Sequence, residues 1–134
     1  MTCAPNQFMP TILREMDASL QPSRAEACTN LPLKEAMACG VPVIVAENTG
    51  MKDLVTPDNC IALKHQKPAP GVGECGTEGW GESDVEEIVC ALEDLYSDRE
   101  RRKKLGLDAA RWVAANRTWQ DHAAQLKDFV LALG

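Results

Sequence analysis

The stretch Pro22-Ser-Arg-Ala-Glu-Ala-Cys-Thr-Asn-Leu-Pro-Leu-Lys-Glu-Ala-Met-Ala-Cys-Gly-Val-Pro-Val-Ile-Val-Ala46 decides the fold. Its middle reads as a helix with both ends marked. Asn30 can cap the free N–H groups of the first turn, Pro32 fits within that turn, and Gly40 sits where the chain must leave the helix. From Pro42 to Ala46 the residues after the proline are continuously apolar, the mark of a strand buried on both faces of a parallel sheet. Ahead of the loop, Ala18-Ser-Leu-Gln-Pro22 reads as a short strand ending in a turn. Strand, loop, helix and strand in that order make a βαβ unit, whose crossover is expected to be right-handed.

Working outward, the apolar spacing from Phe8 to Met16 predicts a short helix with Pro10 in its first turn. Downstream, Met51 to Val55 predicts another short helix and Asn59-Cys-Ile-Ala-Leu63 a further strand. Residues 64–81 are rich in glycine and proline (Pro68, Pro70, Gly71, Gly73, Gly76, Gly79, Gly81) and predict a long irregular loop. Loops of that length in compact domains are usually functional or disordered. Trp80 within it suits a lid, a partner contact or an ordered surface excursion.

The last third predicts helices. Ser83-Asp-Val-Glu86 and Ser97-Asp-Arg-Glu100 read as capping boxes. The first leads a helix with Val85, Ile88, Val89, Leu92 and Leu95 on its buried face, and the second one that buries Leu105, Ala109, Trp112 and Val113. Thr118-Trp-Gln-Asp121 opens a final helix with Trp119, Ala123, Leu126, Val130 and Leu133 along one stripe. The charged run Arg99 to Lys104 reads as a solvated helix face, and His122 as a packed or half-exposed residue. The chain thus divides into a βαβ core over 1–63, a Gly/Pro-rich loop over 64–82 and helices over 83–134. The fold class is α/β: a partial Rossmann-like three-layer unit with a short parallel sheet and a helical C-terminal tail.

Composition bounds what this unit can do. Of 134 residues, 45% are apolar and 25% charged, as in a soluble globular protein, while 4% aromatics leave the core to Ala, Val, Leu, Ile and Met. Two α/β domains of about 150 residues each do not fit. The net charge of −6, from 20 acidic and 14 basic residues, repels nucleic-acid backbones and anionic membranes. A small nucleotide escapes that argument, because backbone amides bind phosphate through local dipoles. No apolar run approaches the roughly 20 residues of a membrane span. Met1-Thr-Cys-Ala-Pro-Asn-Gln7 lacks the charged and apolar regions of a signal peptide, so the expected compartment is the cytoplasm. Six cysteines (Cys3, Cys28, Cys39, Cys60, Cys75, Cys90) contain no CxxC pair, and neither His65 nor His122 stands at zinc-ligand spacing from one. They read as structural thiols.

Chemistry concentrates between Pro22 and Glu35. Ligands of parallel α/β sheets bind beyond the carboxyl ends of the strands, where this loop lies and feeds a helix N-terminus. Free N–H groups and the helix dipole there favour a phosphate or diphosphate. Glu26 in the loop can accept from hydroxyls, and Glu35 in the second helical turn stands near enough to the mouth for a ribose diol. An amide-lined phosphate site flanked by two carboxylates suits a nucleotide sugar; two surface glutamates beside a βα loop is the alternative these residues leave open.

The stretch resembles the donor-site signature of the retaining glycosyltransferases of family 4, which have a two-domain GT-B fold. That pattern runs Ser-Arg-x-Glu, a loop of small residues, Leu-Pro, then Glu-Ala-Met-Ala-x-Gly-x-Pro-Val-Ile. Here it is met by Ser23, Arg24, Glu26, Leu31, Pro32, Glu35, Ala36, Met37, Ala38, Gly40, Pro42, Val43 and Ile44. The loop Glu47-Asn-Thr-Gly50 and the Arg-Thr-Trp119 step continue the likeness to the end of the chain. The resemblance implies an incomplete GT-B C-terminal domain that binds a nucleotide-diphosphate sugar without metal or other cofactor. It implies that Glu35 holds the donor ribose and that Glu26 contacts the donor sugar and orients its anomeric carbon. The backbone of Ala27, Cys28, Thr29, Asn30 and Leu31 would face the sugar and diphosphate, and Asn48, Thr49 and Gly50 would close the pocket. The departing diphosphate would be stabilised electrostatically by amides and basic side chains.

Two departures accompany the resemblance. Eight residues separate Glu26 from Glu35, one more than in the family pattern. The strands that normally bring the basic diphosphate clamp, and the preceding acceptor domain, have no counterpart in this sequence. The expectation is therefore a donor-binding portion, weakly active or inactive alone. A non-catalytic module derived from a glycosyltransferase is the alternative, its exposed sheet edge pairing with a second copy or with a missing N-terminal domain. A sugar-nucleotide epimerase of similar architecture fits the paired glutamates less well.

Overall fold

Three parallel strands organise the chain in a computed structural model that describes residues 5–71 and 76–133. Their order is β1 (Ser19–Gln21), β2 (Val43–Ala46), β3 (Ile61–Leu63), so β2 lies in the middle. Ser19 stands opposite Val43, and Ile44 opposite Ile61. Every residue of β2 is buried, which is why its sequence shows no polar alternation. Successive side chains point to opposite faces. Val43 and Val45 join Leu33, Ala36, Met37, Met51, Leu54, Ala109 and Val113 on one side, and Ile44 joins Leu63, Ala91 and Leu95 on the other. Full burial of a side chain such as Leu33 or Met37 contributes about 2 kcal/mol.

The crossover between β1 and β2 is helix α2 (Leu31–Ala38). Its ends are those the sequence predicts. The Asn30 Oδ1 accepts from the Leu33 N–H at 2.9 Å, Pro32 occupies the first turn, and Gly40 takes φ +77°. At the N-terminus a 3-10 turn (Asn6–Phe8) leads into a short helix α1 (Met9–Leu13) that ends before Met16, so the expected helix to that residue is shorter. Thr49–Leu54 is a 3-10 helix, and β3 begins two residues later than the apolar run predicted.

The expected irregular loop over 64–81 needs correction. Gln66–Pro68 (β4) and Gly81–Ser83 (β5) pair antiparallel, with Gln66 opposite Ser83 and Pro68 opposite Gly81. Cys75 and Gly73, with Cys3, lie outside the described residues; Cys28, Cys39, Cys60 and Cys90 are free thiols.

Helices α3 (Val85–Ser97), α4 (Arg99–Asn116) and α5 (Trp119–Ala132) complete the described chain. The caps of α3 and α4 are Asp84 and Asp98 rather than Ser83 and Ser97. A carboxylate accepts more strongly than a hydroxyl at a positive helix end, and Asp84 accepts from both Glu86 and Glu87 N–H groups. The final helix starts where the sequence predicts, and Thr118 and Asp121 form a capping box there. Helix α4 packs on α2, and its close approach rests on Gly106, where a Cβ would collide with the Gly40 carbonyl.

Two helical stripes are less buried than predicted. In α3 the covered residues are Ala91 and Leu95 with part of Ile88, while Val85, Val89 and Leu92 are exposed. In α5 no residue is buried, and Trp119 is 84% exposed with Leu126, Val130 and Leu133 also in solvent. The periodicity is real in both; the surface that would cover these faces is absent from the described residues.

Candidate functional site

The carboxyl ends of all three strands open onto one face. β1 runs into the loop 22–30, β2 into Glu47-Asn-Thr-Gly50, and β3 into the hairpin β4–β5. The loop after β1 carries Glu26, which is half-buried, and the helix that follows carries Glu35, whose side chain is exposed. Asn30 ties loop and helix together. It is buried, its Oδ1 caps α2, and its Nδ2 donates to Glu26 Oε1 at 3.0 Å. The same amide approaches Gln21 Oε1 at 3.4 Å, so one side chain links the end of β1, the loop carboxylate and the helix start.

Backbone groups complete the mouth. Ala27 and Cys28 are exposed, Thr29 is half-buried, and Leu31 is exposed. Among the described residues, the N–H groups of Ala27, Cys28, Thr29 and Leu31 donate to no protein acceptor. They stand beside the positive end of α2, an arrangement suited to an anion.

The β2 loop supports the first loop from beneath. Glu26 N–H donates to Thr49 Oγ1 at 2.8 Å, and Gly50 N–H donates to the Glu26 carbonyl at 3.2 Å. Gly50 is required by this approach, because a Cβ there would strike the Cys28 carbonyl. Thr49 has φ +36°, a left-handed conformation that costs a β-branched residue about 1–2 kcal/mol. Its hydroxyl is held by Asn48 Oδ1 at 3.2 Å and by the Glu26 N–H. Asn48 itself is buried. Its Nδ2 is directed at the carbonyls of Ser23, Arg24 and Gly81 and at Gln66 Oε1. The structure therefore brings Glu26, Ala27, Cys28, Thr29, Asn30 and Leu31 together with Thr49 and Gly50, and puts Asn48 behind them. Gln66 and Gly81 belong to this assembly and were not singled out by sequence reasoning for the site; no local pattern marks them. No group of three or more His, Cys, Asp or Glu converges among the described residues, and no helix there is long and apolar enough to cross a membrane.

Proteins to which this chain is similar are glycosyltransferases. The chain is 29% identical over 96 residues to the GDP-mannose-dependent alpha-(1-6)-phosphatidylinositol monomannoside mannosyltransferase of Mycolicibacterium smegmatis, covering 72% of this chain and 21% of that protein. Among solved structures it resembles sucrose-phosphate synthase from Thermosynechococcus elongatus (TM-score 0.77, 20% identity, 99% of this chain and 29% of that one). It also resembles Anabaena HepE in complex with UDP (0.71, 18%, 92% and 29%). A third likeness is to the C-terminal domain of the glycosyl transferase group 1 protein LpcC from Francisella tularensis (0.64, 20%, 89% and 52%). These likenesses give the fold as part of a GT-B glycosyltransferase, and the chain spans about a fifth of the length of the curated relative. The model of the family described as "Family 4 Glycosyltransferase in conflict systems" matches residues 7–126, and the chain belongs to that family.

Proposed function

We propose that this chain forms the donor-binding portion of a retaining glycosyltransferase and takes a nucleotide-diphosphate sugar. The observation that carries the reading is the Asn30 clamp: one buried amide caps α2 and holds the Glu26 carboxylate beside a row of undonated backbone N–H groups. In this reading Glu35 accepts from the ribose hydroxyls and Glu26 faces the sugar. The amides of Ala27 to Leu31 take the diphosphate charge, as an anion site that needs no reorganisation when the leaving group departs.

Calorimetric titration of the chain with UDP, GDP, UDP-glucose and GDP-mannose tests this. Binding of one pair is expected at up to millimolar ligand. Glu35→Ala should weaken both members of that pair about tenfold, the loss of one or two hydrogen bonds to a charged group. Silence of the unaltered chain toward all four would overturn the reading.

A second reading is a partner-binding or self-associating module without catalysis. It is favoured by the apolar surface beside β1, where Leu20, Leu92 and Tyr96 are all exposed.

A further inference from the structure

The hairpin β4–β5 touches the loop that bears Glu26 through two contacts, and Asn48 behind that loop through two more. The Gly81 N–H donates to the Arg24 carbonyl at 2.9 Å, and the Arg24 guanidinium meets Glu82 Oε1 at 2.7 Å. Gln66 Oε1 and the Gly81 carbonyl both lie within hydrogen-bond reach of Asn48 Nδ2, at 3.0 and 3.3 Å. The same Nδ2 reaches back to Ser23 and Arg24 carbonyls, at 3.1 and 3.0 Å. Two hydrogens thus serve four oxygens from three different segments. The Gln66 side chain is pinned in turn by its own Nε2, which donates to the Leu63 carbonyl at the end of β3.

We propose that the hairpin is a latch for the Glu26 loop, with Asn48 and Gln66 as positioning residues that act on the donor sugar through Glu26. The route is continuous. Gln66 orients Asn48, Asn48 Oδ1 holds the Thr49 hydroxyl, and Thr49 Oγ1 receives the Glu26 N–H. The strained φ of Thr49 is compatible with this, because a residue kept in the left-handed region must be held there by its neighbours. Gly81 is part of the fit: a Cβ on it would collide with the Gln66 side-chain amide. Among the described residues the Glu35 end of the site has no such link, and that side chain stands exposed on α2. The latch therefore acts on the sugar side and leaves the ribose side alone. The ligand half of this inference rests on the donor-binding reading above; the mechanical half does not.

Three variants of the whole chain test it, Gly81→Ala, Gln66→Leu and Gln66→Glu, the last retaining an acceptor for Asn48. Amide hydrogen exchange at Glu26 and Gly50 should accelerate about tenfold in Gly81→Ala and Gln66→Leu and less in Gln66→Glu, with exchange across β2 unchanged. Unchanged exchange at Glu26, or equal acceleration through β2, would overturn the latch. Should Gly81→Ala fail to fold, the two Gln66 variants decide. Titration with UDP against UDP-glucose, and GDP against GDP-mannose, gives the second measurement. The latch variants should lose about tenfold in affinity for the sugar nucleotide and keep that for the free diphosphate. Equal loss of both would show a general structural role and overturn specific positioning. If the unaltered chain binds none of the four, the donor reading falls, and the exchange measurement alone decides the latch.

Discussion

The two edges of the three-stranded sheet are built differently. Along β3 the free edge faces a cleft bordered by Glu47, Lys64 and Arg101, with Pro57 nearby, and the inward side chain Leu63 is fully covered. Charges and proline beside a short strand are the usual guards against pairing with another chain. Along β1 the groove is lined by Ala18, Leu92, Leu95 and Tyr96, with Asp17 and Arg102 paired across it at 3.2 Å. Leu20 on β1 remains 36% exposed and Tyr96 86%. The β1 side is thus bordered by exposed apolar side chains, where the β3 side is bordered by charges. One edge is guarded and the other is not, in a chain that covers 29% of sucrose-phosphate synthase and of HepE, two of the solved structures it resembles.

The sharpest way to test the contrast is to truncate the inward leucine of each edge. Leu63→Ala, at a fully buried position, should lower the unfolding free energy by about 2–5 kcal/mol in a urea titration. Leu20→Ala should cost about 1–2 kcal/mol in the isolated chain, less than Leu63→Ala, because 36% of that residue is already exposed to water. Equal losses would mean that β1 is as well covered as β3, and the comparison would fail.

An alkaline titration probes the β3 edge separately. Cys60 lines that cleft, and burial pushes its thiol from the ordinary 9.0 up to about 11. Below pH 9 the thiol is protonated in folded and unfolded chains alike. Between about pH 9 and 11 the unfolded chain ionises first and binds fewer protons, so stability falls as pH rises through that window. The full loss is on the order of 2 kcal/mol. Cys60→Ala should remove this part of the pH dependence while lowering stability at neutral pH by a smaller packing cost. An identical alkaline slope in the variant would show that Cys60 is not sealed by the β3 edge.

How much of this was legible in the sequence follows from the range of each interaction. The βαβ unit could be read because its signals are local: Asn30, Pro32 and Gly40 mark the helix within eleven residues, and the run after Pro42 shows a doubly buried strand. The family pattern singled out Glu26 and Glu35 and the helix start singled out Asn30 as a cap, but nothing near Asn30 announces that its amide also holds Glu26. The hairpin was missed for a physical reason. Gln66-Lys-Pro68 and Gly81-Glu-Ser83 are poor strand formers, and their pairing depends on contacts with Arg24 and Asn48 far away in the chain. Asn48 could be placed beside the site by resemblance, whereas its burial is decided by Ser23 and Gly81, at 25 and 33 residues' distance. The stripes of α3 and α5 were legible as stripes. Periodicity reports that a face is apolar and says nothing of whether the covering surface lies in the same stretch of chain.

That last point gives the smallest predicted effect and the most direct test of the β1 surface. Leu92→Glu with Tyr96→Glu places two carboxylates on the apolar wall of the β1 groove, where both native side chains are exposed. The isolated fold should scarcely notice, with a change within about 0.5 kcal/mol, since surface substitutions remove little packing. Association should respond instead. Sedimentation of the unaltered chain over a concentration series reports self-pairing, and the double variant should weaken it about tenfold, or 1.4 kcal/mol. Ala62→Glu, at the guarded β3 edge, should leave it as it was. If the unaltered chain stays monomeric, the same comparison is made by adding a separately expressed α/β unit of a family 4 glycosyltransferase, and weaker capture by the double variant is again expected. Equal sensitivity of the two edges would show that the charges beside β3 guard nothing and that the apolar wall beside β1 is ordinary surface.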